Sequence, residues 1–375
     1  MNRKNNKKQN AWGQYVQMVL YILLGIVWGL LIIKYDENTN SESSLEVLIY
    51  IGMFIFMYVA ILMHIVIHEA GHLIFGLISG YKFSSFRIFS FMWIKENRKI
   101  KLKRLSIAGT GGQCLMDPPD MTEGKFPVTM YNLGGSLMNT FAAFCSLCLF
   151  FIIADMPLFS TIVLIFTAVG FCIALVNGIP MRLGIIDNDG YNAFALSKNV
   201  DAMKSFWVQM KACALSNRGI RAKDMQAEWF DIPSDEAMKN SMVAAQGVFA
   251  CNRLMDAQLF EEADVLMSHM LEIDSGMVDL HRNLMICDRM YVEMITENRR
   301  EIIDEMLSKE QKRFMKQMKN FPTVIRTEYA FALLCEKDLQ KAAKIKARFE
   351  KCAKKYPSQI DIQSERELME IAENR

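Results

Sequence analysis

Residues 48–79 read LIYIGMFIFMYVAILMHIVIHEAGHLIFGLIS, an apolar run that carries His68-Glu69-Ala70-Gly71-His72 toward its end. A bilayer core of ~30 Å takes roughly 20 helical residues, so this run is long enough to span it. On a helix, residues four apart lie one turn above each other, about 6 Å along the axis. His68 and His72 can therefore converge on one ion with Glu69 beside them. This is the H-E-x-x-H pattern of a zinc site whose glutamate acts as a general base. In a soluble helix such a short pattern arises often by chance. Inside a hydrocarbon-spanning helix, histidine and glutamate are costly unless paired or metal-bound, which makes the functional reading the default. His64 lies a turn earlier. It cannot share one ion with both other histidines, because His64 and His72 stand about 12 Å apart along the axis. It reads as an imidazole behind the ligands, as one in contact with water, or as a packed neutral imidazole.

Working outward, further apolar runs appear at 15–33, 130–153 and 158–179, which makes four spans in all. The flanking charges orient them. Arg3, Lys4, Lys7 and Lys8 precede the first span, whereas the loop from Asp36 to Glu46 is acidic and polar. The loop after the second span is basic, with Lys82, Arg87, Lys95, Lys99, Lys101, Lys103 and Arg104 among its residues, and Arg182 follows the fourth span. The positive-inside rule then puts both termini and the second loop in the cytoplasm and the motif toward the cytoplasmic face of a cell membrane. The first span lacks a small-residue cleavage site and is expected to be an anchor.

The chain has 375 residues, of which 52% are hydrophobic, yet it holds 43 basic and 41 acidic residues. Hydrophobicity dominates before about residue 180 and charge after it, as in a membrane domain followed by a soluble one. The expected organisation is a cytoplasmic segment at 1–14, a membrane domain at 15–195 and a cytoplasmic α-helical domain at 196–375. No basic stripe interleaves with aromatics, which excludes a nucleic-acid surface as the main business of the chain. The nine cysteines are scattered singly and read as reduced, buried thiols.

A catalytic zinc takes three protein ligands and keeps one position for water. The third must lie at the depth of the histidines, which removes Glu46 and Asp155. After the fourth span the chain runs Asn177-Gly178-Ile179-Pro180 and on to Asp187-Asn188-Asp189-Gly190. Irregular backbone at membrane depth is tolerated where it lines a cavity or is buried in protein, and an aspartate beyond such a break can turn inward to a metal. Asp187 and Asp189 both qualify. Glu261 and Glu262 are formal rivals only, because they fall in the helical half far from the spans.

Taken together, H-E-A-G-H on one span, Gly135-Ser136-Leu137-Met138-Asn139 on the next, and N-x-x-P followed by an Asp-Gly resemble the site-2 protease family of intramembrane zinc metalloproteases. The resemblance covers about residues 48–195. It implies His68, His72 and Asp189 as Zn²⁺ ligands and Glu69 as the catalytic base. It also places Asn139 near the active site, where an amide could orient substrate or stabilise an oxyanion. The Asp-Gly follows the proline at longer range than is usual in the family, which keeps Asp187 as the rival ligand. The same departure supports an alternative, a catalytically inactive member acting as a membrane scaffold. The implied substrate is a membrane-embedded protein or a membrane-inserted peptide.

Between the second and third spans the period changes. Lys82–Phe91 and Lys99–Leu105 flank a polar turn at 95–98 and read as a membrane-surface β-hairpin, which could cap the site or pair with an unwound substrate. Ala108–Gln113 reads as a tight turn or re-entrant bend. From 196 onward the chain is helix-forming. Gln258–Asp264 resembles Lys337–Ala343 at an offset of 79 residues, as in degenerate tetratricopeptide-type repeats with a middle unit between about 277 and 321. The expected fold is thus an all-α multi-pass membrane domain of about four helices with a small hairpin, then an α-helical soluble domain able to dock a cytoplasmic protein partner.

Overall fold

The computed structural model describes residues 2–39, 46–96, 99–105, 111–182 and 187–375. Contacts divide the chain into two units. The first comprises Met1–Lys82, Gly111–Cys114 and Pro119–Asn199, and the second Phe83–Thr110, Leu115–Pro118 and Val200–Arg375. Most of the strand residues cluster with the second unit, whereas the boundaries read from the sequence place them within 15–195.

Four helices of the first unit are long and apolar enough to cross a membrane. These are α1 (Asn2–Thr39), α2 (Glu46–Ile78), α3 (Val128–Ile152) and α4 (Pro157–Gly178). They match the four expected spans to within a few residues, and the polar start of the chain continues as the first turns of α1. Large apolar side chains cover their outer faces: Leu30, Phe141 and Phe151 are 59%, 64% and 71% exposed. A surface of this kind suits lipid rather than water.

Inside the bundle, α3 packs against both α2 and α4, and α4 against α1. The approach of α2 to α3 depends on two glycines. A Cβ on Gly71 would lie 2.3 Å from the carbonyl oxygen of Gly134, and one on Gly134 would lie 2.8 Å from that of Gly71. Backbone meets backbone there, so neither position has room for a side chain. Between α3 and α4, the hydroxyls of Ser146 and Thr167 share a hydrogen bond of 2.7 Å. Helix α4 stops at Ile179, whose ψ of 126° is extended, because a residue preceding proline is pushed out of the helical region.

The chain then re-enters a helix, α5 (Asp189–Lys198), under the control of Asn188. The Asn188 amide donates to the carbonyls of Val176 (2.8 Å) and Ile179 (2.6 Å) and accepts from the N–H groups of Met181 (3.0 Å) and Tyr191 (2.9 Å). One buried side chain thus caps α5 and binds it to the frayed end of α4. Gly190 completes the contact, since a Cβ there would lie 2.2 Å from the carbonyl oxygen of Gly178.

The strands form a four-stranded sheet in the order β3-β2-β1-β4, from β1 (Lys82–Ile88), β2 (Phe91–Glu96), β3 (Lys99–Arg104) and β4 (Gly112–Asp117). The single hairpin read from the sequence is therefore incomplete. Lys82–Phe91 is not one strand: it turns at Phe89-Ser90, with Phe89 in the left-handed region at φ 51°, and Ile88 pairs with Phe91. An aromatic residue seldom adopts that conformation, so local propensity hides the turn. The second turn falls where expected, with Glu96 opposite Lys99 and residues 97–98 outside the described set. Of the expected bend at 108–113, residues 108–110 lie outside the described residues, while Gly112 and Gln113 begin β4. Nor is the sheet only a surface flap. Asp117 at the end of β4 pairs with Arg218 and with Lys211 (3.1 Å), and Asn217 donates to Ser84 (2.9 Å).

The rest of the second unit is helical: α6 (Val200–Ser216), α7 (Ser241–Asp256), α8 (Phe260–Glu272), α9 (Asp279–Ile295), α10 (Arg300–Met306), α11 (Lys309–Gln317), α12 (Pro322–Ala330), α13 (Leu339–Ala353) and α14 (Gln359–Glu373). Three turns repeat one another. Gln258, Asn298 and Lys337 all have positive φ (59°, 53° and 55°) and end the first helix of a pair, at intervals of 40 and 39 residues. Left-handed residues close helices by satisfying their last carbonyls. The middle turn falls halfway along the 79-residue offset seen in the sequence.

A charged knot ties α9, α12 and α14. Arg326, only 1% exposed, donates to Asp288 and to Glu365 (2.9 Å), and its guanidinium lies 4.3 Å from the Tyr291 ring centroid. Removing one partner of a buried ion pair leaves uncompensated charge and costs ~3–5 kcal/mol. Arg326→Ala is accordingly expected to destabilise the second unit by about that amount. Arg326→Lys should not rescue it, because an ammonium lacks the fork that reaches two carboxylates. Denaturant unfolding of the full chain, followed by Trp207 and Trp229 fluorescence, measures both.

Candidate metal centre

The centre is built on one turn of α2. His68, Glu69 and His72 are each 7% exposed. The two Nε2 atoms stand 3.1 Å apart. From the start of α5, Asp189 brings its Oδ2 to 2.9 Å from His68 Nε2 and 3.3 Å from His72 Nε2. One ligand atom from each of the three residues lies within 4.8 Å of the others, a grouping that could hold a metal ion. Asp187, the rival, is instead drawn to Arg182 at 3.3 Å. Glu261 and Glu262 are exposed on α8 in the second unit.

Proton placement shows why these donors suit a cation. His72 Nδ1 lies 2.8 Å from the carbonyl oxygen of Tyr131. A carbonyl only accepts, so Nδ1 carries the proton and Nε2 presents a bare lone pair. That lone pair faces His68 Nε2 and an aspartate oxygen. Nitrogen lone pairs and a carboxylate crowded together repel one another unless a proton or a metal ion stands between them. Two imidazoles and one carboxylate are also a donor set that zinc accepts.

Behind His68 runs a chain of hydrogen bonds. Its Nδ1 is 3.3 Å from the amide of Asn139, which lies 3.1 Å from His64 Nδ1, and His64 Nε2 is 3.0 Å from the carbonyl oxygen of Phe166 on α4. His64 and Asn139 are fully buried. The Phe166 carbonyl requires a proton on His64 Nε2. A neutral His64 then has a bare Nδ1, which needs a donor, and that donor is the Asn139 amide nitrogen. Its oxygen is left to accept from a protonated Nδ1 of His68, freeing His68 Nε2 for a metal. Amide oxygen and nitrogen are told apart by their partners, and here the Phe166 carbonyl decides the orientation through His64.

Asn139 was expected near the reacting atoms as an orienting or oxyanion-stabilising amide. It sits beside His68 with both polar atoms engaged, one toward His64 and one toward His68. Glycine again admits the contact: a Cβ on Gly135 would lie 2.4 Å from His68 Cε1. Glu69 rests against the first residue of β4, where a Cβ on Gly112 would lie 2.3 Å from its Oε1.

Two contributors were not read from the sequence. Tyr131 acts through its backbone carbonyl, and its ring stacks on Tyr81 (centroids 4.8 Å apart) while its hydroxyl donates to the carbonyl of Cys114 (2.5 Å). No sequence signal marks a carbonyl. Asn188 had one, as a capping residue directly before Asp-Gly.

Outer partners of metal-binding histidines typically contribute about 10–100-fold to affinity. His64→Phe and Asn139→Leu should each weaken Co²⁺ or Zn²⁺ binding within that range, and Asp187→Ala should leave it unchanged. Competition with a chelating dye in detergent provides the measurement. No protein-family model matches the chain, and no curated protein or solved structure matches it either.

Proposed function

We propose that this chain is a multi-pass intramembrane zinc metalloprotease of the site-2 type. It hydrolyses a peptide bond in a membrane-embedded protein or membrane-inserted peptide near the cytoplasmic face. The observation that carries this reading is the convergence of His68, His72 and Asp189 within 4.8 Å, next to Glu69, on a helix apolar enough to span a membrane. The flanking basic residues support a cytoplasmic placement of both termini and of the basic loop.

His68, His72 and Asp189 would hold the ion. Zinc in such a site supplies Lewis acidity and makes water acidic enough to be deprotonated near neutral pH. Glu69 would serve as general base toward the attacking water and as general acid toward the leaving nitrogen. Tyr131 and Asn139 keep the imidazoles in the tautomer that leaves each Nε2 open. Residues 112–114, which begin β4 beside Glu69, lie where an extended substrate would run. The long Asp-Gly spacing, on which the alternative of an inactive scaffold rests, leaves Asp189 2.9 and 3.3 Å from the two histidines, which supports the protease reading.

Labelling of new protein termini in membranes containing wild-type chain or Glu69→Gln tests the activity. Fragments present only with the wild type are expected, and a cleavage product that persists with Glu69→Gln sinks the reading. For the ligand set, metal analysis should find bound zinc in the wild type and in Asp187→Ala but a loss of it in Asp189→Ala.

A further inference from the structure

The second unit carries a groove of about 540 Å³ that lies apart from the metal-centre residues in sequence and has a different chemistry. One wall is a face of α11 and the turn after it, with Lys312, Lys316 and Lys319 at helical spacing. The other is a face of α13, with Lys341, Lys344 and Arg348. Residues three and four apart share a helix face, so each wall presents a basic stripe. The floor is apolar, formed by Met290, Met315, Phe331 and Ile345.

Charge is unbalanced here. Glu328 is the one acid of the lining, and it pairs with Arg348, while Lys341 pairs with Glu336. Among the described residues, Lys312, Lys316, Lys319 and Lys344 make no ion pair, and all four are exposed. Stripes of like charge on both sides of an apolar trough repel each other and attract an anion. A purely anionic ligand would leave the trough unfilled, and a purely apolar one would draw the ammonium groups away from water without compensation.

We propose that this groove binds a peptide segment in which glutamates or aspartates flank one or two large apolar side chains. The apolar residues enter the trough while the carboxylates meet the lysines on either wall. A flat bilayer of anionic headgroups cannot reach a recessed floor, and a nucleic-acid backbone has nothing apolar to place there. Stacked helical pairs commonly present such concave surfaces to peptides.

Fluorescence anisotropy on the full chain in detergent tests this. The probe is a short fluorescein-labelled peptide in which glutamates surround a phenylalanine–leucine pair. Saturable binding is expected, weakening as salt is raised. Combined Lys312→Glu, Lys316→Glu and Lys344→Glu should weaken it by about tenfold or more, a change of the size that lost electrostatic complementarity produces. The same charge reversal at Lys204 and Lys354, which lie outside the groove, should leave it unchanged. Single Lys→Gln variants at the three groove positions give graded losses should the triple variant melt early. The proposal is overturned if the peptide does not bind, if the groove variants bind as well as the wild type, or if replacing phenylalanine and leucine by alanine has no effect. It is also overturned if the lysines instead bind short-chain phosphatidylglycerol and not the peptide.

Discussion

Three electron-rich atoms, two imidazole nitrogens and a carboxylate oxygen, are held within hydrogen-bonding distance of one another in surroundings that offer little water. Such a cluster is repulsive unless a cation or a proton occupies it, so the structure around it must resist its dispersal. That resistance is visible on every side. Glycines 71 and 134 let α2 and α3 close to backbone contact, the Tyr131 carbonyl holds one imidazole, and a relay through Asn139 and His64 to α4 holds the other. The Asn188 clamp delivers the aspartate. The bundle's tight packing and its polar interior are thus two aspects of one requirement.

Much of this was legible in the sequence, for identifiable reasons. Apolar runs report their own length, so the four spans were readable within a few residues, and His68, Glu69 and His72 lie within one turn of one helix. Asp189 was harder. Its approach to the histidines depends on a chain reversal after Pro180, and only the resemblance carried by Asp-Gly distinguished it from Asp187. The structure adds the physical basis: Asn188 binds the last turn of α4 to the first turn of α5, and Gly190 is the residue that fits against Gly178. The remaining contributors could not have been read. Tyr131 and Phe166 act through carbonyls that every residue possesses, and Phe89 turns the chain in a conformation its side chain disfavours.

The helical unit shows the same division between what recurs in sequence and what recurs in space. Its resemblance at an offset of 79 residues captured the first and third helical pairs. The second is marked by Asn298, whose left-handed backbone matches Gln258 and Lys337 although the side chains differ. A turn needs a conformation rather than a particular residue, so repeats drift in sequence while their bends persist. The basic groove belongs to this unit, and its two lysine stripes come from separate helices, so no single stretch of sequence displays it.

The Asn188 clamp gives the site a mechanical character. His68 and His72 ride on α2, while Asp189 opens α5, which packs on α3 and is tied to the last turn of α4 through Asn188. The spacing of the three donor atoms therefore registers how α2 sits against α3 and α4. A shift of α2 against α3 and α4 would draw the imidazoles away from the carboxylate without breaking any bond within a helix. Whatever presses on the outer faces of these helices then acts on the spacing of the donor atoms, as tension on a cord acts on the knot at its end.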